Sequence, residues 1–210
     1  VHTVPQRYNT PSWGSTAALG VFAWLCPERE LTGDDQALAA TLKEMLLAYA
    51  EQSVHNSLRT PFHAPYGNDA KDFFWGCLAE KCANQATSLV YAYLLTGKEP
   101  YLTNAFRNMD YLLGRNATGY CYVTGFGTKS PLHPHHRLSA SDGIEAPIPG
   151  LLVGGPNPGR QDKAAYPSRL PDESYADVEE SYASNEIAIN WSAALVALAS
   201  SLDALSKERK

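Results

Sequence analysis

The feature that most constrains this chain is its last long apolar run. Ile187, Ile189, Trp191, Ala194, Leu195, Val196, Leu198, Leu202 and Leu205 cover most of the circumference of a helix. A surface helix carries one apolar stripe, whereas a helix apolar nearly all round is enclosed by other elements. The spacing predicts a helix over 185–205, capped by Ser184 or Asn185, inside a large α-structure. It does not predict a membrane span. The run 187–202 is interrupted by Asn190 and several serines and is shorter than the roughly 20 residues a span needs. The tail 206–210 reads as solvated, with its cations favourably placed at a helix C-terminus.

The first half reads as helices joined by loops. One is expected over 13–26, stopped by Pro27. The next opens on the acidic Asp34 and Asp35 and places Leu38, Leu42, Met45, Leu46 and Tyr49 at helical spacing. A loop with two prolines and Gly67 follows over 58–72. A third helix is expected over 75–95, ending at Thr96 and Gly97. A fourth covers 101–113, with Ala105, Phe106, Met109, Leu112 and Leu113 on its inner side and Gly114 as its stop. No strand-type alternation competes, so the fold class is all-α. Paired helices with short turns fit a helical toroid or a solenoid. The absence of a fixed-period repeat weighs against the solenoid. The 210 residues suffice for one domain with a proper core. The chain opens on Val1, with no Met and no signal peptide, so the expectation is a piece of something longer.

Residues 115–183 differ from the rest, holding more than half of the prolines and glycines. So long a loop is either functional or disordered. Tyr120, Tyr122, Phe126, Tyr166, Tyr175 and Tyr182 favour ordered loops, because disordered segments are poor in aromatics. The formal charge of -5, without a Lys/Arg cluster, argues against a nucleic-acid partner and suits neutral or weakly polar ligands. Cys26, Cys77, Cys82 and Cys121 lack metal-site spacing. They read as small buried residues, with Cys77 and Cys82 on different faces of a helix; a disulfide between distant pairs stays open.

Two constellations carry chemistry. The first is His133, His135, His136 and Arg137 between prolines. No second ligand cluster accompanies it, so a metal site is disfavoured. Arg137 offers planar multiple donors and the imidazoles can bridge hydroxyls, which suits a sugar or an acid group. The second is Asp177 and Glu186, bracketed by Tyr175 and Tyr182. Glycoside hydrolysis needs one carboxyl group to protonate the leaving oxygen and a second to activate water or attack. Glu186 is expected at a helix start, half-buried beside an apolar run; by spacing alone the plainer reading is an ordinary first-turn glutamate.

Both constellations, and the sequence between them, resemble glycoside hydrolase family 9, the cellulase-type catalytic domains. Trp75-Gly76, the stretch 91–97 and Tyr111-Leu112-Leu113-Gly114-Arg115-Asn116 look like its late barrel helices. Residues 120–137 look like its histidine signature, Asp142-Gly143 and 147–162 like its following loop, and 175–194 like its acidic signature. The resemblance implies an (α/α)6 barrel of which residues 1–210 are the C-terminal portion, the N-terminal half of the same catalytic domain being its partner. It implies hydrolysis of β-1,4-glucosidic bonds in a β-glucan with inversion. Glu186 matches the proton donor, Asp177 the accompanying aspartate that positions and tunes, and His135 and Arg137 the substrate-contacting pair. His136, Tyr182, Trp191 and Trp75 are further substrate-contact candidates. Trp13 is a weaker one, and core packing is the plainer role for both Trp13 and Trp75. No cofactor is required. Structural calcium accompanies many members, though no complete oxygen cage is legible here. Secretion or a periplasmic location follows from the resemblance alone.

Cys121, Ser192 and Cys77 depart from the family pattern, each at a position where a packing change is tolerable. The larger departure is the missing base motif, Asp-Ala-Gly-Asp. An inverting mechanism needs a base carboxylate about 6.5–9.5 Å from the acid, so that partner is expected upstream of Val1. A non-catalytic carbohydrate-binding remnant, a relative acting on another β-linked glycan and a purely structural helical module remain as alternatives.

Overall fold

In the computed structural model, residues 7–208 are described. Five helices dominate the described residues. α1 (Ala17–Leu25) and α2 (Asp34–Ser57) form a first hairpin, and α3 (Asn84–Thr96) and α4 (Glu99–Leu112) a second. α5 (Arg137–Ser141) and α6 (Tyr182–Asn185) are single turns in the loop region, and α7 (Ile189–Glu208) closes the chain. α3 stops where Gly97 enters the left-handed region, and α4 restarts behind Lys98 with Pro100 in its first turn. α7 lies against α3 and α4, and α2 packs on both.

Two apolar clusters result. The larger joins α3, α4 and α7 to the loops through Leu78, Leu89, Leu102, Leu112, Leu152 and Leu198, all fully buried; each stabilises the fold by roughly 1.5–3 kcal/mol. The smaller holds Tyr8, Val21, Phe22, Leu42 and Leu46, with Phe22 stacked on Tyr91 at 3.9 Å.

Several expectations are corrected. The third helix does not start at Trp75. Gly76, at φ +85, breaks the backbone, a π-helical turn follows over Leu78–Ala83, and α3 begins only at Asn84. Cys77, just ahead of the turn, meets the loop carbonyls of Gly154 and Pro156, and Cys82 within it meets the Asn108 carbonyl of α4; both are fully buried. Burial pushes the Cys77 thiol up to about 11, opposed by the hydrogen bond from the Tyr66 hydroxyl, so it stays protonated. All four cysteines are free, and Cys26 is exposed rather than buried. On α4, Tyr111 faces inward while Leu113 is exposed. α7 starts at Ile189, four residues later than expected, and its outer side leaves Ile189 and Val196 exposed. The end of the tail, 209–210, lies outside the described residues.

The segment 115–183 folds onto the helices as loops. Tyr122 and Tyr175 are buried and meet edge to face at 5.2 Å. Among the described residues there are only isolated β-bridges, yet these line up four extended segments side by side. Val123 pairs with Leu152, Val153 with Ile187, and Glu186 with His135.

Gly155 seats this layer on the π turn. A Cβ there would lie 2.3 Å from Leu78 Cγ, and its φ of +94 disfavours any side chain. Gly155→Ala is therefore expected to cost roughly 2–5 kcal/mol in urea unfolding, from backbone strain plus overpacking. A loss below about 1 kcal/mol would mean that Leu78 does not depend on that contact.

Candidate active site

The site is built on the bridged segments. Glu186 is not in the first turn of a helix. It follows the single turn α6 with extended backbone, φ -69 and ψ 150. Hydrogen bonds on both sides impose this shape. On one side His135 N donates to Asn185 O at 2.8 Å; on the other Gly154 N donates to Glu186 O at 3.1 Å and Gly155 N to Ser184 O at 2.8 Å. A helix through 185–188 would forfeit these bonds, which explains the late start of α7.

Asn185 is the hub. It is fully buried. Its Nδ2 donates to His133 O at 2.7 Å and to Asp177 Oδ1 at 3.1 Å, while its Oδ1 accepts from the Tyr175 hydroxyl. Asp177 completes the clamp by accepting from Leu132 N at 2.9 Å and His133 N at 3.0 Å. Both carboxylate oxygens are thus engaged in holding the histidine loop. His135 is fixed at its other end, where Nδ1 meets Glu179 O at 2.7 Å.

Glu186 is half-buried and opens into a groove of about 620 Å3 lined by Trp13, Phe74, Trp75, Glu80, Asn190 and Trp191. Trp75 Nε1 donates to Glu186 Oε2 at 2.9 Å, and the Trp75 ring lies 5.3 Å from that of Tyr182. The His135 ring is 6.0 Å from that of Tyr182. The fold therefore gathers Glu186, Trp75, Tyr182 and His135 into one patch. The Arg137 guanidinium, at the start of α5, is exposed and makes no hydrogen bond or ion pair among the described residues.

Other expected members sit differently. The His136 ring caps α5, with Nδ1 against the Ser139 hydroxyl at 3.0 Å, which ties it to its own turn. Trp191 is a core residue, 6% exposed, whose ring lies under Gly76 and Gly154 and forms the groove floor. Trp13 is 85% exposed and does not pack in the core, while Trp75 is 38% exposed on the groove wall. Among the described residues no three His, Cys, Asp or Glu side chains converge as metal ligands.

Three contributors escaped the sequence reading. Glu80 lines the groove from the π turn and accepts Trp13 N at 2.8 Å. Asn185 reads as a cap in sequence but acts as a crosslink. Asp162 holds α6 in place, accepting from Ala183 N at 2.8 Å, the Tyr166 hydroxyl at 2.8 Å, the Ser181 hydroxyl at 3.0 Å and Ala164 N at 3.0 Å. Burial alone raises the Asp162 carboxyl, but these donors outweigh it and hold the group below the usual carboxylate range.

The sequence profile of glycosyl hydrolase family 9 matches residues 3–199. The chain belongs to glycosyl hydrolase family 9. Within it, the chain is 71% identical over 206 residues to the "Xyloglucan-specific endo-beta-1,4-glucanase BoGH9A" of Bacteroides ovatus, covering 98% of this chain and 35% of that protein. It is 35% identical over 184 residues to "Endoglucanase D" of Acetivibrio thermocellus, covering 88% of this chain and 27% of the relative. Among solved structures, "Bacteroides ovatus GH9" superposes with a TM-score of 0.88 at 69% identity, over 96% of this chain and 35% of that one. Family 9 endoglucanase J30 superposes at 0.81 and 32% identity, over 93% of this chain and 36% of that one. The helices of this chain are thus part of the family 9 (α/α)6 barrel, and the chain spans about a third of the relatives it matches.

Asn185→Ala is expected to cost roughly 2–4 kcal/mol, because it strands the buried Tyr175 hydroxyl and unties the partly buried contact to the His133 carbonyl. Unfolding titrations read the loss; a variant as stable as the parent would show that the two loops hold together without the amide. Asp162 gives a pH-dependent counterpart. Its lowered carboxyl contributes stability above the unfolded aspartate value near 4, and the contribution is lost as pH falls through the lower folded value. The stability gap between Asp162→Asn and the parent should be full at pH 7 and should close under acid. A gap that does not vary with pH would contradict the carboxylate's role.

Proposed function

We propose that this chain is the C-terminal portion of a single family 9 catalytic domain that hydrolyses β-1,4-glucosidic bonds of a β-glucan with inversion. The observation that carries the reading is the open carboxyl of Glu186, set in a groove walled by Trp75 and Trp13 and flanked by Tyr182 and His135. Indole faces suit the apolar faces of glucose units, and a polar rim suits their hydroxyls.

In the proposed reaction Glu186 gives its proton to the departing glycosidic oxygen as the C1–O bond breaks. A water molecule attacks C1 from the opposite face, and a base carboxylate from the remainder of the domain accepts the water's proton. One bond is cut, one water is consumed and the anomeric configuration inverts. Asp177 is assigned to positioning, since both its oxygens hold the histidine loop. His135 and Arg137 are assigned to substrate contact. The relatives' names support the β-1,4-glucan backbone, and xyloglucan is the first polymer to test. A polymer of this kind does not cross a bilayer intact, so we place the enzyme outside the cytoplasm, secreted or periplasmic. Neither a cofactor nor structural calcium enters the proposed mechanism.

In the complete catalytic domain, Glu186→Gln should lower kcat on a soluble β-glucan by roughly 100- to 10,000-fold. The 210-residue chain by itself should release no reducing ends. Turnover by the isolated chain, or full activity of the variant, would overturn the assignment. Glycan binding by a complete domain that cleaves nothing would identify a binding remnant instead.

A further inference from the structure

Trp75 and Glu186 lie 111 residues apart in sequence and meet at the groove wall. Among the described residues, the indole N–H is the only hydrogen-bond donor to the Glu186 carboxylate, and it reaches Oε2 specifically. An indole nitrogen donates and never accepts, so Oε2 must keep a lone pair turned toward it. In a neutral carboxyl the carbonyl-type oxygen is the better acceptor. Whenever the carboxyl carries a proton, this contact favours Oε1 as its site.

The indole is itself firmly held. Gly76 follows it with a positive φ, where a Cβ would strike the Trp191 ring at 2.7 Å, so the backbone at 76 lies directly on that ring. Tyr182 lies against Trp75 at 5.3 Å. The break in the helix before the π turn, unanticipated in the sequence, is what swings Trp75 to the groove rather than along α3. We propose that Trp75 is a positioning residue for the general acid: its N–H occupies Oε2, keeps the transferable proton on Oε1 and fixes the plane of the carboxyl toward the scissile oxygen. This rests on the reading of Glu186 as the acid and differs from a sugar-stacking role, which needs the ring and not its N–H.

The test replaces the N–H while keeping an aromatic face, in the complete catalytic domain. Trp75→Phe and, as an isosteric check, benzothienylalanine at position 75 (sulfur in place of N–H) are assayed on two substrates. One is a β-1,4-glucan oligosaccharide, whose leaving oxygen needs a proton. The other is a dinitrophenyl β-cellobioside, whose leaving group needs none. Both variants should lose about tenfold or more in kcat on the oligosaccharide, as expected for one lost hydrogen bond to a carboxyl that gains negative charge as it gives up its proton. In both variants the kcat loss on the oligosaccharide should exceed the loss on the aryl glycoside by about tenfold, and benzothienylalanine, which keeps the bicyclic ring, should hold KM within about threefold. Equal losses on the two substrates, or no loss from benzothienylalanine, would overturn the proposal. Glu186→Gln is run beside them. If it spares the oligosaccharide reaction, the assignment of the acid has failed rather than that of Trp75.

Discussion

The site depends on one buried amide. Asn185 ties together the two loops of the candidate site, and its bond to the buried Tyr175 hydroxyl satisfies a group that would otherwise be stranded without water. Buried polar networks of this kind are rigid when complete, because each unmade bond carries a desolvation penalty. The histidine loop and the acidic loop are far apart in the chain and have little apolar surface of their own. Asn185, Asp177 and the backbone pairing of His135 with Glu186 hold them in one register. Asp162 does the same for the turn just before, so the approach to Glu186 is fixed on both sides.

A second constraint comes from glycines. Gly76, Gly154 and Gly155 allow the backbone to run directly against Trp191 and Leu78. That close approach lets a buried tryptophan form the floor of a groove while another, one residue before Gly76, forms its wall. The π-helical turn belongs to the same device, since it re-aims the chain between Trp75 and α3 and carries Glu80 to the groove edge. The groove wall is thus held by the core rather than by flexible surface loops, which keeps the geometry around Glu186 fixed.

The outer side of α7 belongs to the same picture. Ile189 and Val196 are exposed there, and Trp13 and Leu19 are exposed near the N-terminal end. A toroid of helical hairpins buries such surfaces against further hairpins. The chain spans about a third of the Bacteroides ovatus relative.

By itself the sequence determined the helical class, because 3.6-residue periodicity, Pro27, Gly97 and Gly114 are local signals that local geometry obeys. It also determined the family, because the His133–Arg137 and Asp177–Glu186 constellations keep their residue types and order. Only the tertiary structure decided where those residues act. Glu186 reads as helical in sequence, yet pairing with His135 and Gly154 stretches it. Asn185 reads as a cap, yet its amide faces two distant loops. Trp191 reads as a sugar contact, yet Gly76 and Gly154 close over it. His136 reads as a ligand contact, yet its own turn claims it. The first three reversals have the same physical cause: hydrogen bonds and close packing between segments remote in the chain outweigh local propensities of a few tenths of a kcal/mol.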